Sequence, residues 1–142
     1  MARSIVIIED GEEDVEAICW AMRRLGLAPG LTRFADGDTA LEWLTGPDAP
    51  WPSLILLDLN LPGTDGREVL AAMKAHWRLR ALPVVVLSTS ANPRDVQGCY
   101  AQGASGYLVK PVNFERFVGQ LRLLFGFWLE AAVLPEPLVA RP

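Results

Sequence analysis

A short apolar run that ends in an acid, Leu54-Ile55-Leu56-Leu57 followed by Asp58, constrains the fold of this chain more than any other stretch. The run is unbroken and bounded by turn-forming residues, a pattern typical of a strand buried on both faces of a parallel sheet. A turn, Pro62-Gly63-Thr64-Asp65-Gly66, follows it. The carboxyl end of a central parallel strand faces the crevice where such folds bind ligands. Asp58 is therefore either a functional carboxylate or an acid that stabilises the turn.

Four other strand-like segments alternate with segments of helical spacing. The additional strands are predicted at Ser4–Ile8, Leu31–Ala35, Pro83–Leu87 and Gly106–Val109. Helices are predicted at Glu12–Leu25, after the turn Asp36-Gly37-Asp38 with Ala40, Leu41 and Leu44 as its buried residues, at Arg67–Trp77, from Pro93 (capped by Asn92) to about Gln102, and from the cap Asn113 to about Val133. Five strand–helix units joined by right-handed crossovers predict an α/β fold, a doubly wound parallel sheet with helices on both faces.

Composition narrows the class of protein. The chain has 142 residues, enough for one domain with a full core, and a net charge of −4, which argues against nucleic-acid binding. The N-terminus has the pattern of neither a signal peptide nor a membrane span. Cys19 and Cys99 follow no metal-binding or redox spacing. These features predict free thiols and a cytoplasmic location.

Polar side chains follow four of the predicted strands. Glu9 and Asp10 follow the first, Asp58 the third, Ser88 the fourth and Lys110 the fifth. Because the carboxyl ends of parallel strands share one edge of the sheet, these groups are expected to converge there. Three adjacent carboxylates repel one another unless one pKa rises or a cation binds between them. A Mg²⁺ site typically has few protein ligands and leaves room for waters and a phosphate, and the predicted cluster fits this description.

The same groups suit phosphoryl transfer. A carboxylate such as Asp58 is able to attack phosphorus and form an acyl phosphate. The reaction needs in-line positioning and charge neutralisation, which Mg²⁺, the Lys110 ammonium and the Ser88 hydroxyl would supply. The sequence therefore predicts a metal-supported phosphorylation site at Asp58.

Four motifs, in order, resemble the receiver domain of bacterial two-component response regulators. They are Glu9-Asp10, the stretch from Leu57 to Gly66 around Asp58, Ser88, and Gly103-Ala104-Ser105-Gly106-Tyr107-Leu108-Val109-Lys110-Pro111. The resemblance spans about residues 4–126. It implies a flavodoxin-like fold with five helices and strand order 2-1-3-4-5.

The resemblance also implies roles for the acidic residues. Asp58 would accept a phosphoryl group from a sensor histidine kinase. Asp10, Asp58 and the backbone carbonyl of Asn60 would bind Mg²⁺, with Glu9 acting directly or through water. Glutamate at position 9 stands where aspartate is commoner. The chain would be a phosphoacceptor that assists its own phosphorylation and dephosphorylation, not an enzyme with a separate substrate.

The remaining motif residues are assigned to signalling. Lys110 would pair with the phosphoryl group, and the family pattern allows a cis bond between Lys110 and Pro111. Ser88, a serine where threonine is commoner, and Tyr107 would form a switch pair that alters the surface of helix 4, strand 5 and helix 5.

The C-terminal end has more large apolar side chains than one core-facing stripe needs. We expect a receiver domain over residues 1–126, a helical extension and tail over residues 127–142, and no output domain. The extension either folds back on its own domain or, as we expect, joins helix 5 in a homodimer interface. Phe127–Pro135, together with Leu87–Ser90, resembles stand-alone regulators partnered with phytochrome-type kinases, which implies such a kinase as partner.

Three other classes of protein share parts of this sequence pattern. A nucleotide- or flavin-binding domain would need a glycine-rich loop after the first strand, but acidic residues from Glu9 to Asp14 surround Gly11 there. A haloacid-dehalogenase-type hydrolase would need an acid where Asn60 stands. A phosphate-independent, receiver-like interaction module is the alternative that stays open.

Overall fold

A computed structural model describes residues 3–27 and 30–141. In these residues strands and α-helices alternate along the chain. The elements are β1 Ser4–Ile8, α1 Glu12–Arg24, β2 Gly30–Phe34, α2 Gly37–Leu44, β3 Leu54–Asp58, α3 Gly66–Ala75, β4 Val84–Ser88, α4 Pro93–Ala101, β5 Gly106–Val109 and α5 Phe114–Phe125. A 3-10 turn, Leu79–Ala81, lies before β4, and a π-helical segment, Gly126–Ala131, continues α5.

The five strands form one parallel sheet in the order β2-β1-β3-β4-β5. All residues of the central strands β3 and β4 are buried, as their unbroken apolar runs predict. The predicted flavodoxin-like order is therefore confirmed.

Helices cover both faces of the sheet and enclose two apolar cores. On one face α2, α3 and α4 pack against alternate strand residues such as Ile55 and Val86. On the other face α1 and α5 pack against the intervening residues, such as Leu56 and Leu87. This alternation is the two-residue period of a strand that is buried on both sides.

Helix starts agree with the predicted caps, whereas the ends of α3 and α5 differ from the predicted ends. Asn92 caps α4 by accepting the amide hydrogen of Arg94, and Asn113 caps α5 by accepting the amide hydrogen of Arg116. The predicted end of α3 at Trp77 is two residues too late. His76 adopts an extended conformation, and its Nδ1 accepts the amide hydrogens of Arg78 and Leu79. These bonds start the 3-10 turn and end the helix.

The prediction of one regular helix from Asn113 to about Val133 is wrong beyond Phe125. The chain widens into π-helical turns, which end where the Ala132 amide donates to the Phe127 carbonyl at 2.7 Å. The tail then passes Trp51, whose indole Nε1–H donates to the Pro135 carbonyl at 3.1 Å. Part of the extension therefore contacts its own domain.

Two further findings concern the described residues only. Every peptide bond among them is trans, so the cis Lys110–Pro111 bond that the resemblance allowed is absent. None of their helices combines the length and apolar character needed to cross a membrane.

Candidate functional site

The strand register brings the polar strand ends together. Ile8 pairs with Leu57 across β1 and β3, so Glu9 and Asp58 stand at the same level of the sheet. Asp58 pairs with Leu87, and Ser88 is the next residue of β4. Ser88 in turn pairs with Val109, and Lys110 follows it. The polar residues predicted at these strand ends therefore lie along one edge of the sheet.

Three carboxylates converge at this edge. Ligand oxygens of Glu9, Asp10 and Asp58 all lie within 4.8 Å of one another. Glu9 and Asp58 are buried and Asp10 is exposed, so the cluster has a solvated side. Asn60 is exposed, and its amide hydrogen bonds to Asp58 Oδ1 at 3.2 Å. A group of hard oxygen donors that opens to solvent fits a divalent cation that keeps part of its water shell.

Lys110 is the cation of the cluster and lies closer to Glu9 than to Asp58. Its Nζ is 2.5 Å from Glu9 Oε1, 2.8 Å from Asp14 Oδ2 and 3.6 Å from Asp58 Oδ1. Only 7% of the Lys110 side chain and 6% of the Asp58 side chain are exposed. Asp14 was not among the site residues predicted from the sequence. Its position in the acidic first turn of α1, directly after the β1–α1 loop, was the available signal.

Burial and mutual repulsion alter the protonation of the cluster. Burial, with the hydrogen bond to Asp58, raises the pKa of Glu9 to about 8, although Lys110 opposes the rise. Burial acts to lower the pKa of Lys110, but hydrogen bonds to Asp14 and Glu9 outweigh it and raise that pKa. Lys110 therefore stays charged, while without a cation Glu9 holds a proton more tightly than an exposed glutamate does.

Arg33 of β2 fixes the loop that carries two of the acids. Its guanidinium donates to the backbone carbonyls of Glu9, at 2.9 Å, and Asp10, at 3.2 Å, and forms an ion pair with Glu12 at 2.9 Å. These contacts orient the β1–α1 loop without using the Glu9 and Asp10 side chains. Arg33 was not among the predicted site residues either.

The turn after β3 brings α3 directly against Asp58. The Gly66 amide donates to the Leu59 carbonyl at 2.9 Å. A Cβ atom at position 66 would overlap the Asp58 carbonyl oxygen, so only glycine allows this approach. The Pro-Gly-x-Asp-Gly turn thus determines the backbone position of Asp58.

The predicted switch residues both contact the β4–α4 loop. Ser88 is fully buried, and its Oγ accepts the amide hydrogen of Ser90 at 3.1 Å. The half-buried Tyr107 donates its hydroxyl hydrogen to the Ser90 carbonyl at 2.8 Å. The two side chains are thus joined through one intervening residue, and their role as a switch stays a prediction.

Comparison with known proteins agrees with this fold. The family described as "Response regulator receiver domain" matches residues 5–122. A buried aspartate at the end of the third strand, in an acidic pocket beside a lysine, lies within that match. The chain belongs to the response regulator receiver domain family.

Three relatives illustrate this membership. The probable methanogenesis regulatory protein FilR2 of Methanothrix harundinacea is 38% identical over 94% of this chain and 88% of its own length. Response regulator Rcp1 of Synechocystis is 37% identical over 92% of each chain, and a Mn(2+)-bound structure of Rcp1 has a TM-score of 0.89 over 94% of this chain and 99% of that one. The phosphorylated cyanobacterial phytochrome response regulator RcpA is 36% identical, with a TM-score of 0.90 over 96% of this chain and all of that chain.

Proposed function

We propose that this chain is a single-domain response regulator whose Asp58 accepts a phosphoryl group from a sensor histidine kinase. The observation that carries the proposal is the environment of Asp58. Its nearly buried carboxylate shares a pocket with Glu9 and Asp10 and lies 3.6 Å from the Lys110 ammonium. An acid in this setting has a cation nearby to neutralise the charge that a phosphoryl group brings.

In the proposed reaction an Asp58 carboxylate oxygen attacks phosphorus. The new bond is the O–P bond of an acyl phosphate, and the bond that breaks joins phosphorus to the kinase histidine nitrogen. The electron pair of the broken bond stays on that nitrogen. Lys110 would pair with the phosphoryl oxygens, and the Asn60 amide, which already bonds Asp58 Oδ1, keeps the attacking carboxylate oriented.

Glu9, Asp10 and Asp58 are the side chains that would hold Mg²⁺, together with the Asn60 backbone carbonyl. The exposed side of the cluster leaves space for the waters and phosphate oxygen that this ion prefers as further ligands. Mg²⁺ would supply neutralisation of negative charge during the transfer. The relative Rcp1 has a Mn(2+)-bound form, which supports the proposal that this chain also binds a divalent cation.

The proposed output is a change in the surface formed by α4, β5 and α5. After phosphorylation the Ser88 hydroxyl would move toward the phosphoryl group and the Tyr107 ring would move inward. Tyr107 lines a cavity of about 300 Å³ whose walls include Leu124 and Trp128. A movement of the ring would therefore change the shape of that surface.

The proposed kinase is of the phytochrome type. A cyanobacterial phytochrome response regulator matches 96% of this chain in structure, which supports the proposal. The proposal includes hydrolysis of the acyl phosphate in the same pocket, which would make the chain a phosphoacceptor and not an enzyme with a substrate of its own.

A homodimer through α5 and the extension is part of the proposal. Leu123 and Phe127 are exposed although they neighbour the buried residues Leu124 and Leu129, so apolar surface remains outside the core. Exposed apolar surface of this kind usually marks a contact surface.

Phosphotransfer from a radiolabelled phytochrome-type kinase with Mg²⁺ tests the proposal. We expect label to move to the wild type and to Asp48→Asn, a variant of an exposed aspartate, but not to Asp58→Asn. Equal transfer to Asp58→Asn would disprove the site. Transfer only from a kinase without a photoreceptor would disprove the phytochrome assignment and leave the site intact.

A further inference from the structure

Outside the acidic cluster, a chain of polar contacts links α3 to α4 and to the β4–α4 loop. Arg67 Nη2, in the first turn of α3, lies 2.7 Å from Asp95 Oδ1, in the first turn of α4. The other oxygen of Asp95 accepts the Ser90 hydroxyl hydrogen at 2.5 Å. Three side chains from three parts of the sequence are therefore joined by two charge-assisted contacts.

Ser90 is also the residue that both predicted switch side chains touch. Its amide donates to Ser88 Oγ, and its carbonyl accepts from the Tyr107 hydroxyl. The Ser90 side chain is fixed by Asp95, and its Oγ additionally accepts the Asn92 amide hydrogen at 3.2 Å. The side chain of Ser90 thus determines the position of the two backbone groups that Ser88 and Tyr107 use.

The other end of the chain of contacts reaches the phosphoacceptor strand. Arg67 Nη1 contacts Asp65 Oδ1 at 3.1 Å, and Asp65 caps α3 by accepting the Arg67 amide hydrogen at 2.8 Å. The next residue, Gly66, is the one whose close approach to the Asp58 carbonyl determines how α3 sits on β3. Arg67 therefore joins the helix that abuts Asp58 to Asp95 of α4, and Asp95 in turn holds Ser90 of the β4–α4 loop.

The ion pair between Arg67 and Asp95 is charged and partly exposed to solvent. Ser90 and Arg67 lower the pKa of Asp95, so this carboxylate is charged at neutral pH. The Asp95 side chain is 25% exposed and that of Arg67 is 42% exposed. Solvent competes for partly exposed ion pairs, so little free energy is needed to break the contact between Arg67 and Asp95.

We propose that Asp95, held by Arg67, is a positioning residue that fixes Ser90 and through it sets the resting arrangement of Ser88 and Tyr107. The inference rests on the proposed function, because it gives this pair its signalling role. Asp95 touches neither the acidic cluster nor Lys110 in the described residues, so its loss should leave the phosphorylation pocket intact.

Fluorine NMR of the Tyr107 side chain tests the inference. The sequence has two tyrosines, so Tyr100→Phe in a 3-fluorotyrosine-labelled protein leaves one resonance, that of Tyr107. Without metal or phosphate, we expect Asp95→Ala and Ser90→Ala to shift this resonance. Ser90→Thr, which restores a hydroxyl, should return it toward the wild-type position. The double variant should shift it no further than the larger single variant does.

Glu115→Ala is the matched control, because Glu115 is the first-turn acid of α5 and has no ion pair among the described residues. It should leave the Tyr107 resonance unchanged. Additive shifts in the Ser90 and Asp95 variants, or no shift in either, would overturn the inference. A shift of equal size in Glu115→Ala would also overturn it, since general loss of helix stability would then explain the result.

Beryllofluoride with Mg²⁺, an analogue of the phosphoryl group, separates the two proposals. In the wild type it should bind and move the Tyr107 resonance. In Asp95→Ala it should bind with an affinity within about twofold of the wild type and produce a smaller movement. Unchanged movement in Asp95→Ala would contradict the inference. Failure to bind the wild type would contradict the proposed function, while the measurement without analogue would still decide the role of Asp95.

Discussion

The Lys110 ammonium lies among three carboxylates at unequal distances. It is nearer to Glu9 and Asp14 than to the proposed phosphoacceptor Asp58. The arrangement implies that Asp14 competes with an incoming phosphoryl group for this cation. Asp14 is 33% exposed, so its ion pair is worth little more than a surface pair.

Asp14→Asn should therefore tighten the binding of beryllofluoride in the presence of Mg²⁺, by about threefold. The substitution keeps the shape of the side chain and removes the charge that draws Lys110 away. Glu13→Gln is the control, because it removes an equal charge from an exposed position in the same helical turn. Weaker binding by Asp14→Asn, or equal tightening by both variants, would rule out the competition.

Glu9 makes the stability of the metal-free protein depend on pH. Its pKa is raised to about 8 in the folded chain, so the folded state binds a proton that the unfolded chain releases near pH 4.5. The contribution of Glu9 to the free energy of unfolding is complete below about pH 4.5 and is lost as the pH rises to about 8.

Glu9→Gln should remove this dependence and should be more stable than the wild type at pH 8 in a chelating buffer. We expect a difference of about 2 kcal/mol after screening by solvent at the edge of the site. Urea unfolding at pH 5 and pH 8 measures it. Parallel pH profiles for the two proteins would show that Glu9 does not hold the proton.

At the residue scale, the sequence predicted the polar groups that end a strand or directly follow one. Glu9, Asp58, Ser88 and Lys110 were found because each polar residue ends an apolar run and parallel topology aligns those ends. Asp14 and Arg33 could not be found in this way. Asp14 lies on α1 and Arg33 on the edge strand β2. Whether their side chains point toward the site depends on tertiary packing.

At the scale of elements, the contact between α3 and the end of β3 requires glycine at position 66. Gly66→Ala should destabilise the fold by about 2 kcal/mol, because its Cβ would overlap the Asp58 carbonyl. Urea unfolding measures the change, and acyl-phosphate formation should slow with it as Asp58 shifts.

Gly98→Ala is the matched control for this prediction. Gly98 lies within α4, and a Cβ atom there would meet no atom within 4 Å. Alanine should therefore stabilise the helix by about 0.5–1 kcal/mol. If both substitutions changed stability in the same direction, the close approach at Gly66 would not be the cause.

Element order, type and most helix starts followed from the sequence, whereas the ends of α3 and α5 did not. The caps Asn92 and Asn113 have short-range signals that a sequence displays directly. The end of α3 depends on the His76 ring accepting two amide hydrogens, and the π-helical turns after Phe125 have no such local signal. The contact of Trp51 with Pro135 spans most of the chain and is set by tertiary structure alone.

At the scale of the whole molecule, the exposed apolar side chains of α5 and the π-helical segment should govern self-association. Phe127→Glu, at a position that is 54% exposed, should shift a wild-type dimer to monomer in sedimentation velocity without lowering the melting temperature. Trp20→Glu, on the exposed face of α1, is the control and should leave the mass unchanged. If the wild type is monomeric, the result would instead indicate that the extension packs only against its own domain.

The architecture as a whole was predictable because five alternating strand–helix units leave few topologies open. The sheet order and the two helical layers agree with that prediction, and family membership agrees with the motifs that suggested it. The course of the tail was not predictable, since its apolar residues suited both a partner chain and its own domain.

Intact-mass spectrometry after incubation with Mg²⁺ and a small-molecule phosphodonor tests the central claim most directly. The wild type should gain the mass of one phosphoryl group and lose it on treatment with hydroxylamine, which cleaves acyl phosphates. Asp58→Asn should gain none. A modified Asp58→Asn protein, or a wild type that gains no phosphoryl group, would contradict the assignment of Asp58 as the phosphoacceptor.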